Sequence, residues 1–400
     1  MSRFVYSEVA SSLHDGASID RILEPVRRAL IDHGGVPAQS PADVFPHLIV
    51  VATGGTEQAV LDSANRRREF VSWEPIVLVT HALHNSLPAA LEALARLRQD
   101  GIPGRIVQLA DDDELESTVE DLVVLHWLRQ SRLGLVGTPS EWLVASVPDP
   151  GALRQRWGIE LVDADIAEAI DLYPSVSEES IKEVAVAFTP HGSTPNADTV
   201  AAAAVLPTLD HLISQHRLDA VAVRCFDFLT DIETSGCVAL AQLNDVGFVA
   251  GCEGDVASTV SMMLARRLLG RPSWVANPAR IDPRGGELTL AHCTVAPSMV
   301  SDIELHTHFE SGIGVGFRGT FEPGPVTLMR LGGRELERHW FADAEIIGGG
   351  SSPDLCRTQV VLKVEAALDD LLDDPLGNHI VMVAGHHSRR LERWWRLVFG

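Results

Sequence analysis

The chain contains no run approaching the roughly 18 to 20 apolar residues that a membrane span requires. It also has little positive charge to set against its acids: 32 Lys and Arg face 55 Asp and Glu, a formal net charge of −23. Polyanion partners are disfavoured, because phosphate contacts rest on clustered Lys and Arg that release counterions. No nucleic-acid and no membrane partner is therefore expected. Cysteine is scarce: Cys225, Cys237, Cys252, Cys293 and Cys356 are odd in number and widely spaced, with no C-x-x-C pair. That pattern argues against a disulfide framework and against a structural zinc site, and predicts reduced thiols. GGTE at 54–57 lacks the G-x-G-x-x-G spacing and a P-loop lysine, and no G-x-S-x-G elbow occurs. GGTE at 54–57 accordingly reads as a turn, and Ser140 as helix-start chemistry. The opening MSRFVYSEVASSLHDG is too polar for a secretory h-region, so the expectation is a cytoplasmic protein. Internal repeats, charge blocks and low-complexity linkers are absent.

What is present is a long apolar-patterned chain, 400 residues with 46% hydrophobic content, beyond the size of one core and suited to two or three domains. PHLIVVATGGTEQAV reads as a strand at 48–52, a Gly54-Gly55 turn and a helix. A second strand at 76–80 leads to a helix opened by Asn85, Ser86 and Pro88 and ended by Gly101, and RIVQLA at 105–110 is the next strand. This β/α alternation predicts a parallel, doubly wound sheet. It restarts at LGLVGTPSEWLVASV, with a strand at 133–136 and a helix opened by Thr138, Pro139 and Glu141. LDAVAVRC, ETSGCVALAQLND, FVAGC and VASTVSMMLARRLLG continue it. After Pro278 short β-like runs alternate with Gly and Pro, as in an antiparallel sheet or small barrel. The expected fold class is therefore α/β: two Rossmann-like α/β domains with parallel sheets, 1–132 and 133–280, then a C-terminal antiparallel, barrel-like β domain, 281–400, with a closing amphipathic helix.

Ligands of an open parallel sheet gather at the carboxyl ends of its strands. There the run ending at Cys225 delivers Asp227 and Asp231, and the run ending at Cys252 delivers Glu253 and Asp255. Consecutive strands joined by one helix tend to be neighbours, so these carboxylates are expected on one rim. Like charges so placed repel unless a cation or base intervenes. Oxygen ligands with one imidazole suit Mn²⁺ or Mg²⁺. The competing reading is that these acids cap the helices that follow them. HTHFE would set His306, His308 and Glu310 on one face if it were a strand, and His379, after Gly377 and Asn378, is the preferred C-terminal imidazole. Arg357, Thr358 and Gln359 in CRTQV form a kit for hydroxyls or a carboxylate. His292 in AHCT is either a polyol contact or a core residue, and His81, His84 and Asn85 occupy a βα loop of the first domain.

With NSLPAALEALA, CEGD, THFE, CRTQ and PLGNH in this order, the chain resembles the L-fucose/L-arabinose isomerase superfamily, in particular its short fucose-isomerase-like branch. The resemblance covers most of the chain and is strongest over 218–385. It implies Mn²⁺-dependent interconversion of an aldose and a ketose through a cis-enediolate, with two acids and a histidine on the metal. Asp255 matches the later family acid, with Glu253 beside it, and His379 matches the histidine. Asp227 and Asp231 compete for the earlier acid. His292, His308, Glu310, Arg357, Gln359 and Asn378 are then the candidate sugar contacts. Trimers or hexamers are implied, with a neighbour's first domain completing each site, which would give His81, His84 and Asn85 a role. The alternatives are an aldolase-like lyase or epimerase using the same metal enediolate, and a non-catalytic sugar-binding protein.

Overall fold

A computed structural model describes residues 3–109, 112–187 and 196–400. Two compact units emerge, the described residues of Met1–Trp127 with Arg390–Gly400, and those of Leu128–Arg389.

The first unit carries β1 (Phe4–Val9), β2 (Gly35–Pro37), β3 (His47–Val51), β4 (Ile76–Thr80) and β5 (Gly104–Gln108) in a parallel sheet of order β2-β1-β3-β4-β5. β3 and β4 are buried along their whole length, because helices cover both faces of the sheet. The side-chain alternation is visible in the cores. Leu48, Val50, Val77 and Val79 enter one, and Ile49, Val51, Ile76 and Leu78 the other. Leu397 joins the first core and Trp394 donates its indole N–H to the Asp121 carbonyl, so the end of the chain closes this unit. β1 and β2 carry no strong strand signal in the sequence.

His47, at the start of β3, is buried with Nε2 3.0 Å from the Ser7 hydroxyl. Burial first, then the Arg67 cation, pushes its pKa down to about 4. The unfolded chain therefore takes up a proton near pH 6.5 that the folded unit refuses until about pH 4. This contribution to stability is complete above about pH 6.5 and is lost as the pH falls to 4, by about 3 kcal/mol in all. Urea unfolding of the wild type and of His47→Gln across that window should show the variant losing less stability on acidification.

The second unit opens with β6 (Arg132–Val136), β7 (Glu160–Ala164), β8 (Ala220–Val223) and β9 (Val249–Gly251), parallel and ordered β7-β6-β8-β9. β8 and β9 are direct neighbours, Ala220 opposite Val249. The helix expected after β6 does not form. Residues 137–149 are a loop, and a helix begins only at Pro150–Trp157, capped by Asp149. The reason is tertiary: the Ser140 N–H donates to the Glu253 carbonyl at 2.9 Å, which ties the loop to the end of β9.

β10 (Ser273–Asp282), β11 (Glu287–His292), β12 (Asp302–His306), β13 (Gly316–Thr320), β14 (Gly324–Gly332), β15 (Arg338–Gly349), β16 (Thr358–Val364) and β17 (Ile380–Ala384) follow. Six of them close an antiparallel barrel in the order β10-β11-β16-β15-β14-β17, and β12 pairs with β13 in a separate hairpin. Leu288, Leu290, Leu328, Val360, Leu362 and Met382 belong to its core. HTHFE is not one strand. β12 stops at His306, so the period-2 argument that aligned His306, His308 and Glu310 fails; His308 and Glu310 lie in the turn beyond.

Candidate functional site

Beyond Gly251 the chain turns through Cys252, Glu253, Gly254 and Asp255 into the helix Val256–Leu269. Asp255 is the N-cap of that helix, its Oδ1 accepting the Ser258 N–H at 2.8 Å. The capping reading of this acid is thus correct, and the same side chain does more. Its Oδ2 accepts from the Ser258 hydroxyl at 2.7 Å, lies 3.3 Å from an Arg330 nitrogen, and stands 2.8 Å from His379 Nδ1. Arg330, on β14 in the barrel wall, also donates to Ser258 Oγ at 2.5 Å and Ser146 Oγ at 2.7 Å. Asp255 is 1% exposed. Burial alone would push its carboxyl up; the Arg330 charge, His379 and the Ser258 amide outweigh it and hold the pKa at about 2.

Glu253 sits two residues earlier with φ 62, in the left-handed region, followed by Gly254 at φ 70. A non-glycine residue there costs on the order of 1–3 kcal/mol and persists where its surroundings over-determine it. Gly254 is required by space as well, since a Cβ would stand 2.9 Å from the Pro139 Cα. This turn aims the Glu253 side chain inward. Oε2 accepts the Trp142 indole N–H at 2.5 Å, while Oε1 lies 3.6 Å from His379 Nε2 and 3.7 Å from His292 Nε2. Those two separations are charge contacts rather than hydrogen bonds. Burial opposes the charge on Glu253, but the two imidazoles overcome it and hold the carboxyl well below the usual range.

His292 ends β11 and His379 immediately precedes β17, and both strands pair with β10. Their rings meet edge to face with centroids 5.6 Å apart. Burial disfavours a proton on His379, but Asp255 and Glu253 prevail and raise its pKa to about 9. Among the described residues, His379 Nε2 and His292 Nδ1 are buried without a hydrogen-bond partner. Glu253, His292 and His379 each offer a ligand atom, all within 4.8 Å of one another. An imidazole whose Nδ1 is fixed by a carboxylate, with Nε2 unpartnered beside another ligand, is the usual support of a metal-binding histidine. The donor set fits a divalent ion.

The other nominated residues are distributed around this centre. Asp227 takes the Arg224 guanidinium at 2.8 Å, and Arg224 also binds Glu141 at 2.7 Å. Asp231 is exposed and accepts from the Thr230 hydroxyl. Neither belongs to a metal-capable group among the described residues. Asp255 supports His379, its two oxygens already engaged. His308, with Nδ1 3.1 Å from Ser311 Oγ, and Glu310 gather with Cys293 in a second group. Arg357 binds the Thr307 carbonyl at 2.9 Å and covers the Phe309 ring. Gln359 clips the preceding loop through Ser352 and Cys356. Asn378 is exposed beside Asn277. In the first unit His81 and His84 line, with His14, a cavity of about 670 Å³.

Trp142, Arg330, Ser146 and Ser258 went unread in the sequence. Arg330 had a signal, a lone cation in the apolar run PVTLMRLGG. Trp142 had none, because nothing local distinguishes GTPSEWL from a helix start.

No protein-family model matches the chain. It is similar to the sulfoquinovose isomerase of Clostridium sp. (strain MSTE9), 26% identical over 330 residues, 78% of this chain and 70% of that protein. It is also similar to the sulfoquinovose isomerases of Priestia aryabhattai and Priestia megaterium (strain ATCC 12872 / QMB1551), each 27% identical over 219 residues, 52% of this chain. The match spans about half the length, 49%, of these last two.

Proposed function

We propose that this chain, which belongs with the L-fucose/L-arabinose isomerase superfamily, is an aldose–ketose isomerase that holds one divalent ion on Glu253, His292 and His379. Its class, an isomerase acting on a sugar, is what its relatives support. The ion, and passage of an open-chain sugar through a cis-enediolate, are this reading's own. One observation carries it: the unpartnered Nε2 of buried His379 faces Glu253 across 3.6 Å while Asp255 holds the opposite nitrogen. Two imidazoles and one carboxylate favour Mn²⁺ or another first-row transition ion over Mg²⁺, which prefers oxygen ligands.

When bound, the ion supplies Lewis-acid stabilisation of the negative charge that develops on the two neighbouring sugar oxygens. The protein's residues set the stage for it. Asp255 accepts the Nδ1–H of His379, so that Nε2 is the nitrogen that would give up its proton to an incoming ion. Trp142 holds one oxygen of Glu253 and directs the other toward the imidazoles. Among the nominated acids, Glu253 is the one that faces both histidines, and with one oxygen on Trp142 and the other toward the imidazoles it is assigned to the ion rather than to proton transfer. Asp227, paired with Arg224, and Asp231, turned to Thr230, are assigned to neither. A homo-oligomer remains part of this reading.

The test is turnover by the Mn²⁺-loaded full chain in deuterated buffer, with sulfoquinovose and a set of neutral aldoses. Ketose formation, deuterium at the carbon beside the carbonyl, and loss of both on chelation are expected. Carbon–carbon cleavage products would replace this reading with a lyase. Neither ketose nor exchange from any sugar at metal saturation would refute it.

A further inference from the structure

The scattered cysteines gave no zinc signature in the sequence, yet the barrel brings two of them together. β11 and β16 pair antiparallel with His292 opposite Thr358, so Cys293, just past one strand, meets Cys356, just before the other. The turn after β12 then adds two more donors. Cys293, His308 and Glu310 each present a ligand atom within 4.8 Å of the others, and Cys356 Sγ lies 3.6 Å from Glu310 Oε1.

We propose that Cys293, Cys356, His308 and Glu310 form a second metal site, for a thiophilic divalent transition ion such as Zn²⁺. Two sulfurs, one imidazole and one carboxylate are a tetrahedral set that zinc accepts and that Mn²⁺ or Mg²⁺ does not favour. Ser311 Oγ engages His308 Nδ1 at 3.1 Å, and His308 Nε2 lies 3.5 Å from Glu310. The second nitrogen is thus oriented toward the ligand cluster by an outer partner. Cys293 and His308 are buried, Cys356 is half-buried and Glu310 is exposed, which gives an ion a way in. Binding converts both thiols to thiolates and releases two protons to solvent. The bound ion pins the turn carrying His308 to the strand end carrying His292, one residue away from the Glu253 group. This site does not depend on the isomerase reading.

The test is spectroscopic. The metal-free full chain titrated with Co²⁺ should develop a thiolate-to-cobalt charge-transfer band, which Zn²⁺ then abolishes by displacement. The doubly substituted Cys293→Ser/Cys356→Ser chain should lose the band, and His379→Gln should keep it. Should the serine variant fail to fold, His308→Gln and Glu310→Gln serve instead, each weakening Co²⁺ binding roughly tenfold or more. Saturating Zn²⁺ should also slow alkylation of Cys293 and Cys356 at least tenfold. A wild-type chain that shows no thiolate band at saturating Co²⁺, a band that survives in the serine variant, or alkylation indifferent to Zn²⁺ would each overturn the proposal. Absence of sugar isomerisation would leave it standing.

Discussion

Replacing His379 by glutamine is expected to abolish Mn²⁺ binding at the proposed Glu253 site and to lower kcat by about 10³-fold, since a Lewis acid contributes several kcal/mol and each 1.36 kcal/mol is a factor of ten. Glutamine keeps one contact of the imidazole and loses another. Its amide can still meet Asp255, so the carboxylate that His379 contacts at 2.8 Å is not left bare. It cannot offer the imidazole nitrogen that faces Glu253. The effect should therefore fall on metal content and turnover, with the far-ultraviolet circular dichroism of the wild type retained. Metal analysis after gel filtration, with turnover at saturating sugar, decides it. A His379→Gln chain that keeps one tightly bound Mn²⁺ and full kcat would place the metal elsewhere.

The layers of this protein were legible because they are written in periodicity. IVLVT and HLIVV are continuous apolar runs that only doubly covered strands tolerate, and both lie where the pattern puts them. The Gly- and Pro-punctuated runs after Pro278 do form a closed barrel. The site was legible at the level of segments, as CEGD and GNH meet through His379 and Asp255. It was not legible at the level of roles. Whether Glu253 or Asp255 faces a ligand depends on a left-handed backbone at Glu253, and no periodicity reports that. Thr138, Pro139 and Glu141 look like a helix start, yet one hydrogen bond from Ser140 to the Glu253 carbonyl takes the segment away from helix. Asp227 had the right strand end and the wrong partner, because Arg224, three residues before it, lies close enough to neutralise it. Long-range pairing was the missing information for the loop that carries Ser140.

Asp255→Asn should produce the second large effect, and it separates two functions of one carboxylate. The first is structural. Arg330 and Asp255 are each about 1% exposed, and removing one charge of a buried pair leaves the other uncompensated, at about 3–5 kcal/mol. The amide would also turn N–H donors toward groups that already donate, the Arg330 guanidinium and the His379 Nδ1–H. The second function is positional, since the carboxylate holds the Nδ1–H of His379; loss of such an outer partner costs roughly 10–100-fold in metal affinity. A double variant distinguishes them. Adding Arg330→Met to Asp255→Asn removes the stranded cation and is expected to recover much of the lost stability, while metal affinity stays low because nothing restores the charge behind His379. Urea unfolding of the two single variants, the double variant and the wild type, with Mn²⁺ titrations of each, closes the cycle. If the double variant recovers both quantities together, Asp255 acts on the metal only through the packing of Arg330, and its contact with His379 has no separate role.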